Sequence, residues 1–225
     1  MTDTAVQTET GTDTSGMKSI HRVFRQAFGA APQLIRGAPD GDRARSALVG
    51  TYYHNVLRLL HSHHQGEDEL IWPKLLERCT EETFLVQSMS SQHGDLAALI
   101  DLAEAQVARW SESADRSDGE ALTMTLVALN LVLVEHLDEE EELVLPLCSK
   151  YITEAEWAEL PRHGMSTFDG DKPWLITGLA REQMWPDQVA AMDAEMPPPA
   201  RQMWAQFGQV AFTRFITELR APLVV

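Results

Sequence analysis

The sequence predicts an all-α fold, an antiparallel four-helix bundle with additional C-terminal helices packed on it. Three observations carry this expectation. Apolar residues recur at helical spacing almost throughout, and no alternating stretch is long enough for a sheet. Four long amphipathic segments are joined by short polar connections, the pattern of an up-down bundle. A chain of 225 residues is long enough for one generous domain.

The elements follow in order. Residues 1–16, rich in Thr, Asp and Gly, read as a disordered tail. A first helix is expected over Met17–Arg36, with Ile20, Phe24 and Phe28 on one side, and "GAPDGD" ends it. The second runs from near Asp42 to the Trp72–Pro73 pair. The third spans about Glu81–Trp110, with Val86, Met89, Leu96 and Ile100 on one stripe. "SESADRSDG" reads as a polar loop, and the fourth helix covers about Glu120–Leu147. The bundle is thus placed at 17–163, with 164–225 as a helical extension of the same domain. Past the fourth helix, Thr153 and Glu156 form a capping box, "HGMSTFDGDKP" reads as a loop, and "MPPPA" separates helices near 175–193 and 199–220.

Composition excludes several function classes. The net charge of −16 opposes nucleic-acid binding, which depends on Lys and Arg displacing counterions. No uninterrupted apolar run of membrane-spanning length is expected, because "TMTLVALNLVLVEHL" breaks at Glu135. The N-terminus lacks the basic start and apolar core of a signal peptide. Cys79 and Cys148 suit packing in a reducing compartment, so a cytoplasmic location is expected. Loops for nucleotide phosphates, H-E-x-x-H zinc sites, C-x-x-C-H haem sites and paired E-x-x-H motifs are all absent.

What the chain does contain is an internal repeat. His63-x-x-x-Glu67 is followed by Asp68, Glu69 and, six residues after the first Glu, Pro73. His136-x-x-x-Glu140 is followed by Glu141, Glu142 and Pro146 at the same offset. A spacing of four stacks His and Glu on one helix face. Val56, Leu60 and Leu70 flank the first pair at core spacing, and Leu129, Leu133, Leu143 and Leu147 flank the second. Each pair therefore replaces core residues in a buried seam. An unpaired buried carboxylate costs several kcal/mol, and a cation offsets that cost. His21 and His93 sit on the corresponding faces of the other two helices. These imidazoles and carboxylates, with no thiolate, favour iron or manganese and can hold two ions if the carboxylates bridge. His54 and His61 fall on a solvated stripe, and His163 reads as a helix C-terminal residue before Gly164. Tyr52 and Tyr53 lie too far before the first ligand to bind the same ion.

The pattern His21; His63 and Glu67; His93; His136 and Glu140 resembles the hemerythrin-like, or HHE cation-binding, family over about residues 17–163. That resemblance implies a four-helix bundle with two non-haem iron ions that bind or react with O2, peroxide or nitric oxide. Two positions depart from it. The family's second helix-three histidine would fall at Ala97, and His64, on the flank of the seam, is the leading substitute donor. The family's helix-four carboxylate would fall at Glu141, whereas the repeat and the seam favour Glu140. No side chain is assigned as a general acid or base. A non-catalytic iron or oxygen sensor, and a bundle holding one zinc or manganese ion, are the competing expectations. The C-terminal helices offer a surface for a homodimer.

Overall fold

A computed structural model describes residues 11–221, and those residues form helices joined by short turns. The first helix of the bundle comes in two pieces, α1 (Ser15–Gly29) and α2 (Ala31–Arg36), rather than one continuous helix. Pro32 explains the break, since it lacks an N–H and its ring crowds the carbonyl one turn earlier. The second helix, α3 (Arg43–Leu70), starts where the Asp42 side chain accepts the Arg45 N–H at 3.0 Å. It stops before Trp72–Pro73, and α4 (Trp72–Arg78) resumes after a turn at Ile71.

The third helix, α5 (Thr83–Ser113), and the fourth, α6 (Arg116–Glu139), both extend into the stretch expected as a loop. Only Ala114 and Asp115 connect them. Ala114 takes a left-handed conformation (φ 55°) and Asp115 caps α6 through Ser117 N–H, so two residues suffice for the reversal. Past α6 the helical path widens into a π turn over Glu140–Val144 and continues as α7 (Leu145–Tyr151). The path Arg116–Tyr151 is, by length and mean hydropathy, apolar enough to cross a membrane, contrary to the expectation that no such stretch exists. Its inner stripe, Leu122, Leu126, Leu129 and Leu133, is fully buried in the bundle, and His136 and Glu140 interrupt the apolar run.

Of the expected N-terminal tail, residues 1–10 lie outside the described residues, and 11–16 are not a tail. Thr12 is buried, its N–H meets the Ser149 carbonyl at 3.0 Å, and its hydroxyl donates to the Ile152 carbonyl at 2.6 Å. The carbonyls left over at the end of α7 draw this segment in.

The Thr153–Glu156 capping box opens α8 (Glu154–Trp157). The expected loop at 163–173 is shorter, because α9 (Glu159–Thr167) includes His163 within the helix rather than at its end. Ser62 on α3 holds α9 in place through the Gly164 carbonyl and the Thr167 hydroxyl. The chain then forms α10 (Pro173–Glu182), α11 (Pro186–Glu195), α12 (Pro198–Met203), a π turn at 204–208, and α13 (Gln209–Arg220). The expected helix 175–193 is split in front of Pro186. Leu175, Leu179, Phe212, Ile216 and Leu219 join the core formed by α1, α3, α5 and α6. Gly178 permits this, since a Cβ there would collide with the Phe212 ring.

The buried apolar residues separate into two clusters. One contains Phe24, Leu60, Leu96 and Leu133; the other contains Ile71, Met89, Val144 and Cys148. Along the chain His63 and Glu67 fall between Leu60 and Ile71, His93 between Met89 and Leu96, and His136 and Glu140 between Leu133 and Val144. A polar layer is therefore sandwiched between two apolar ones.

Candidate metal centre

Each element of the layer has a local cause. On α3, His63, His64 and Glu67 occupy the last turns before the Pro73 break. On the fourth helix, Pro146 cannot donate to the carbonyl one turn back, and the ladder opens into the wide turn where Leu145 N–H reaches the Glu140 carbonyl. Both prolines of the repeat thus distort the backbone one to two turns beyond a buried carboxylate.

Two groups of donor atoms result. His64, His93 and His136 form one; His21, His63, Glu67 and Glu140 form the other, with ligand atoms in each group within 4.8 Å of one another. The carboxylates join the groups. Glu67 directs Oε1 to His63 Nε2 (3.3 Å) and Oε2 to His93 Nε2 (3.4 Å). Glu140 Oε2 lies 3.3 Å from His21 Nε2 and 3.9 Å from His136 Nε2. Five imidazoles and two carboxylates therefore face one another, with Glu67 and Glu140 fully buried (0 % and 1 % exposed).

The hydrogen bonds around the layer set the tautomers. His21 Nδ1 donates to Glu141 (3.0 Å), His93 Nδ1 to Asp68 (2.9 Å) and His136 Nδ1 to Gln92 Oε1 (2.8 Å). Gln92 Nε2 in turn donates to Glu139, which fixes the amide so that oxygen faces His136. With Nδ1 protonated, each Nε2 carries a lone pair. The 3.3 Å approach of His93 Nε2 to His136 Nε2 is then two acceptors meeting, not a hydrogen bond. Nε2 of His21, His63 and His64, both oxygens of Glu67 and Glu140 Oε2 also lack hydrogen-bond partners. Buried acceptors without donors are what cations satisfy. The residues fit a pair of cations held by nitrogen and oxygen.

Outer partners of this kind orient ligands, and losing one typically costs 10–100-fold in metal affinity. Gln92→Leu is expected to weaken metal binding by about that factor while leaving the fold intact. Competition with a chelator of known affinity checks this; unchanged affinity would show that His136 is held by packing alone.

Burial governs the protonation states. Desolvation pushes His63 and His64 well below the usual imidazole range and His136 to about 3, reinforced by neighbouring histidines. It pushes the Glu67 carboxyl well above its usual range, with Glu140 adding repulsion, and raises Glu140 as well. In the metal-free protein the unfolded chain takes up protons on these histidines below about 6.5 while the native one does not, so stability falls as pH drops through that value. The native carboxyls keep protons that the unfolded chain releases above about 4.5, so stability also falls as pH rises beyond it. Metal-free protein is thus expected to be most stable between those two values. Bound cations should lift the neutral side of the curve. Urea unfolding with and without chelator from pH 4 to 8 checks both signs.

The structure places His21, His63, Glu67, His93, His136 and Glu140 in one layer and brings His64 into it. Glu141 sits outside, bound to His21 and to Arg25 at 2.9 Å. His54 and His61 are outside the layer, and the Tyr53 hydroxyl donates to the Ala27 carbonyl. Asp68 enters the sequence pattern only as the second acid of the repeat, with no role attached, and Gln92 is not singled out at all; the structure sets both against imidazoles of the layer. For that role, their adjacency to Glu67 and His93 is the only signal the letters offer.

Fold and layer together define a class: a helical bundle that binds cations through a buried imidazole–carboxylate cage. The hemerythrin HHE cation-binding domain matches residues 12–148, more than half of the chain, and the chain belongs to that family. Comparison with curated proteins and with solved structures returned no match.

Proposed function

We propose that the chain is a non-haem di-iron protein that binds or reacts with O2, peroxide or nitric oxide. The observation that carries this reading is the pair of donor groups sharing Glu67 and Glu140. A donor set of imidazole and carboxylate without thiolate suits iron, and iron supplies redox chemistry when bound.

The two groups are unequal. His64, His93 and His136 give one cation three nitrogens, whereas His21 and His63 give the other two. The second group makes up the difference with the Glu67 and Glu140 carboxylates, and the buried cage admits only a small exogenous ligand. The protein's part is to hold the donors in place, to keep Nε2 lone pairs directed inward through Glu141, Asp68 and Gln92, and to exclude bulk water.

Metal analysis with a visible spectrum, on aerobically purified protein and again after peroxide, tests the reading. About two irons per chain with bands that respond to peroxide are expected. Colourless protein with one zinc or manganese would overturn it in favour of a structural ion. Iron that changes stability or shape without turnover would identify a sensor.

A further inference from the structure

Outside the cage, the described residues form a groove of about 340 Å³ between the end of α3, α4 and the first turns of α5. Trp72, Pro73, Leu76 and Val86 give it an apolar wall, and Asp68 and Ser90 give it polar edges. Two of these residues touch the cage. Asp68 accepts the His93 Nδ1 proton, and the Trp72 ring lies 5.8 Å from the His93 ring, centroid to centroid. Trp72 is 3 % exposed, and its indole N–H has no acceptor. A molecule in this groove is one residue away from a cation ligand.

Volume and charge narrow what fits. Small-molecule sites span about 300–1,000 Å³, so this one holds roughly a single ring. Asp68 is the only charged residue in the lining, and the chain carries −16 overall, so anionic reductants are repelled. An apolar ring suits the wall, and a hydroxyl suits Asp68 as an acceptor.

We propose that this groove binds a phenol-class reductant, which delivers its electron to the centre through His93. The proposal rests on the redox reading above. In the step, the phenol O–H bond breaks, one electron reduces one ferric ion to ferrous, and the proton passes to water at the groove mouth. The phenol leaves as its phenoxyl radical, and a second phenol serves the second ion.

The test uses 4-methylphenol with the full chain and with Ser90→Trp, which fills the groove from the exposed side of α5. Binding is read on metal-free protein by saturation-transfer NMR. Reduction of the iron-loaded protein is read by the loss of visible absorption, with dithionite as a reductant that needs no groove. The wild type should bind the phenol, and Ser90→Trp should bind it at least about tenfold more weakly, the factor that about 1.4 kcal/mol of lost contact produces. Reduction by the phenol should slow by a similar factor. Metal-free wild type that does not bind the phenol, or Ser90→Trp reduced by it as fast as wild type, overturns the groove and leaves the di-iron reading standing. Protein that takes up no iron overturns the di-iron reading and the electron step with it.

Discussion

Glu67→Ala will abolish uptake of both cations, not one. Glu67 is the residue whose two oxygens are divided between the donor groups, Oε1 towards His63 and Oε2 towards His93. Its loss removes a donor from each cation and the negative charge between them. The remaining bridge, Glu140, leans to one side, 3.3 Å from His21 and 3.9 Å from His136. A ligand that binds only the native state stabilises by about 4 kcal/mol when present at a thousand times its dissociation constant. Wild type should show a shift of that order on metal addition in urea unfolding, and Glu67→Ala none. Metal analysis after gel filtration gives the stoichiometry. A variant that keeps roughly two ions per chain would mean that Glu67 is a buried spectator and that the imidazoles alone hold the metal.

His64→Ala will have a different outcome, with metal content falling from roughly two to about one per chain. His64 belongs to the group without a carboxylate of its own, and its ring stacks on His93 at 4.1 Å between centroids. Removing it leaves that cation two imidazoles and the Glu67 Oε2 oxygen, while the His21, His63, Glu67 and Glu140 group is untouched. Adding Ala97→His to the same chain should restore the second ion, because position 97 lies one turn beyond His93 on the same face of α5. Partial metal content in His64→Ala with recovery in the double variant would establish that this chain exchanged one donor for another across the bundle. Full content in His64→Ala would show that the His64 ring is core packing.

Much of the site is legible in the letters alone. The repeat stands out because helical geometry makes a spacing of four equivalent to contact, and because leucines at the same spacing show which face is buried. Four helices can be placed for the same reason, since the rhythm of Val86, Met89, Leu96 and Ile100 is a local property. Their ends are less legible. Ser113–Arg116 reverses in two residues because Ala114 accepts a left-handed conformation, which the polar stretch around it does not advertise. His163 to Thr167 is helix because Ser62, about a hundred residues earlier, supplies partners for it.

The choice between Glu140 and Glu141 shows where the boundary lies. The letters supply both acids and a preference drawn from the repeat. The π turn set off by Pro146 decides that Glu140 enters the layer while Glu141 hydrogen-bonds His21 from outside. His64 is similar: its neighbours place it on the flank of the seam, and only the packing of α5 and α6 against α3 brings it beside His93 and His136. By itself the sequence determined which residue types lie on which helical face, because that depends on interactions three and four positions apart. Which donors meet, which carboxylate bridges, and that Asp68 and Gln92 hold the imidazoles were decided by tertiary structure. Those contacts join residues tens of positions apart, and a linear pattern carries no distance between helices.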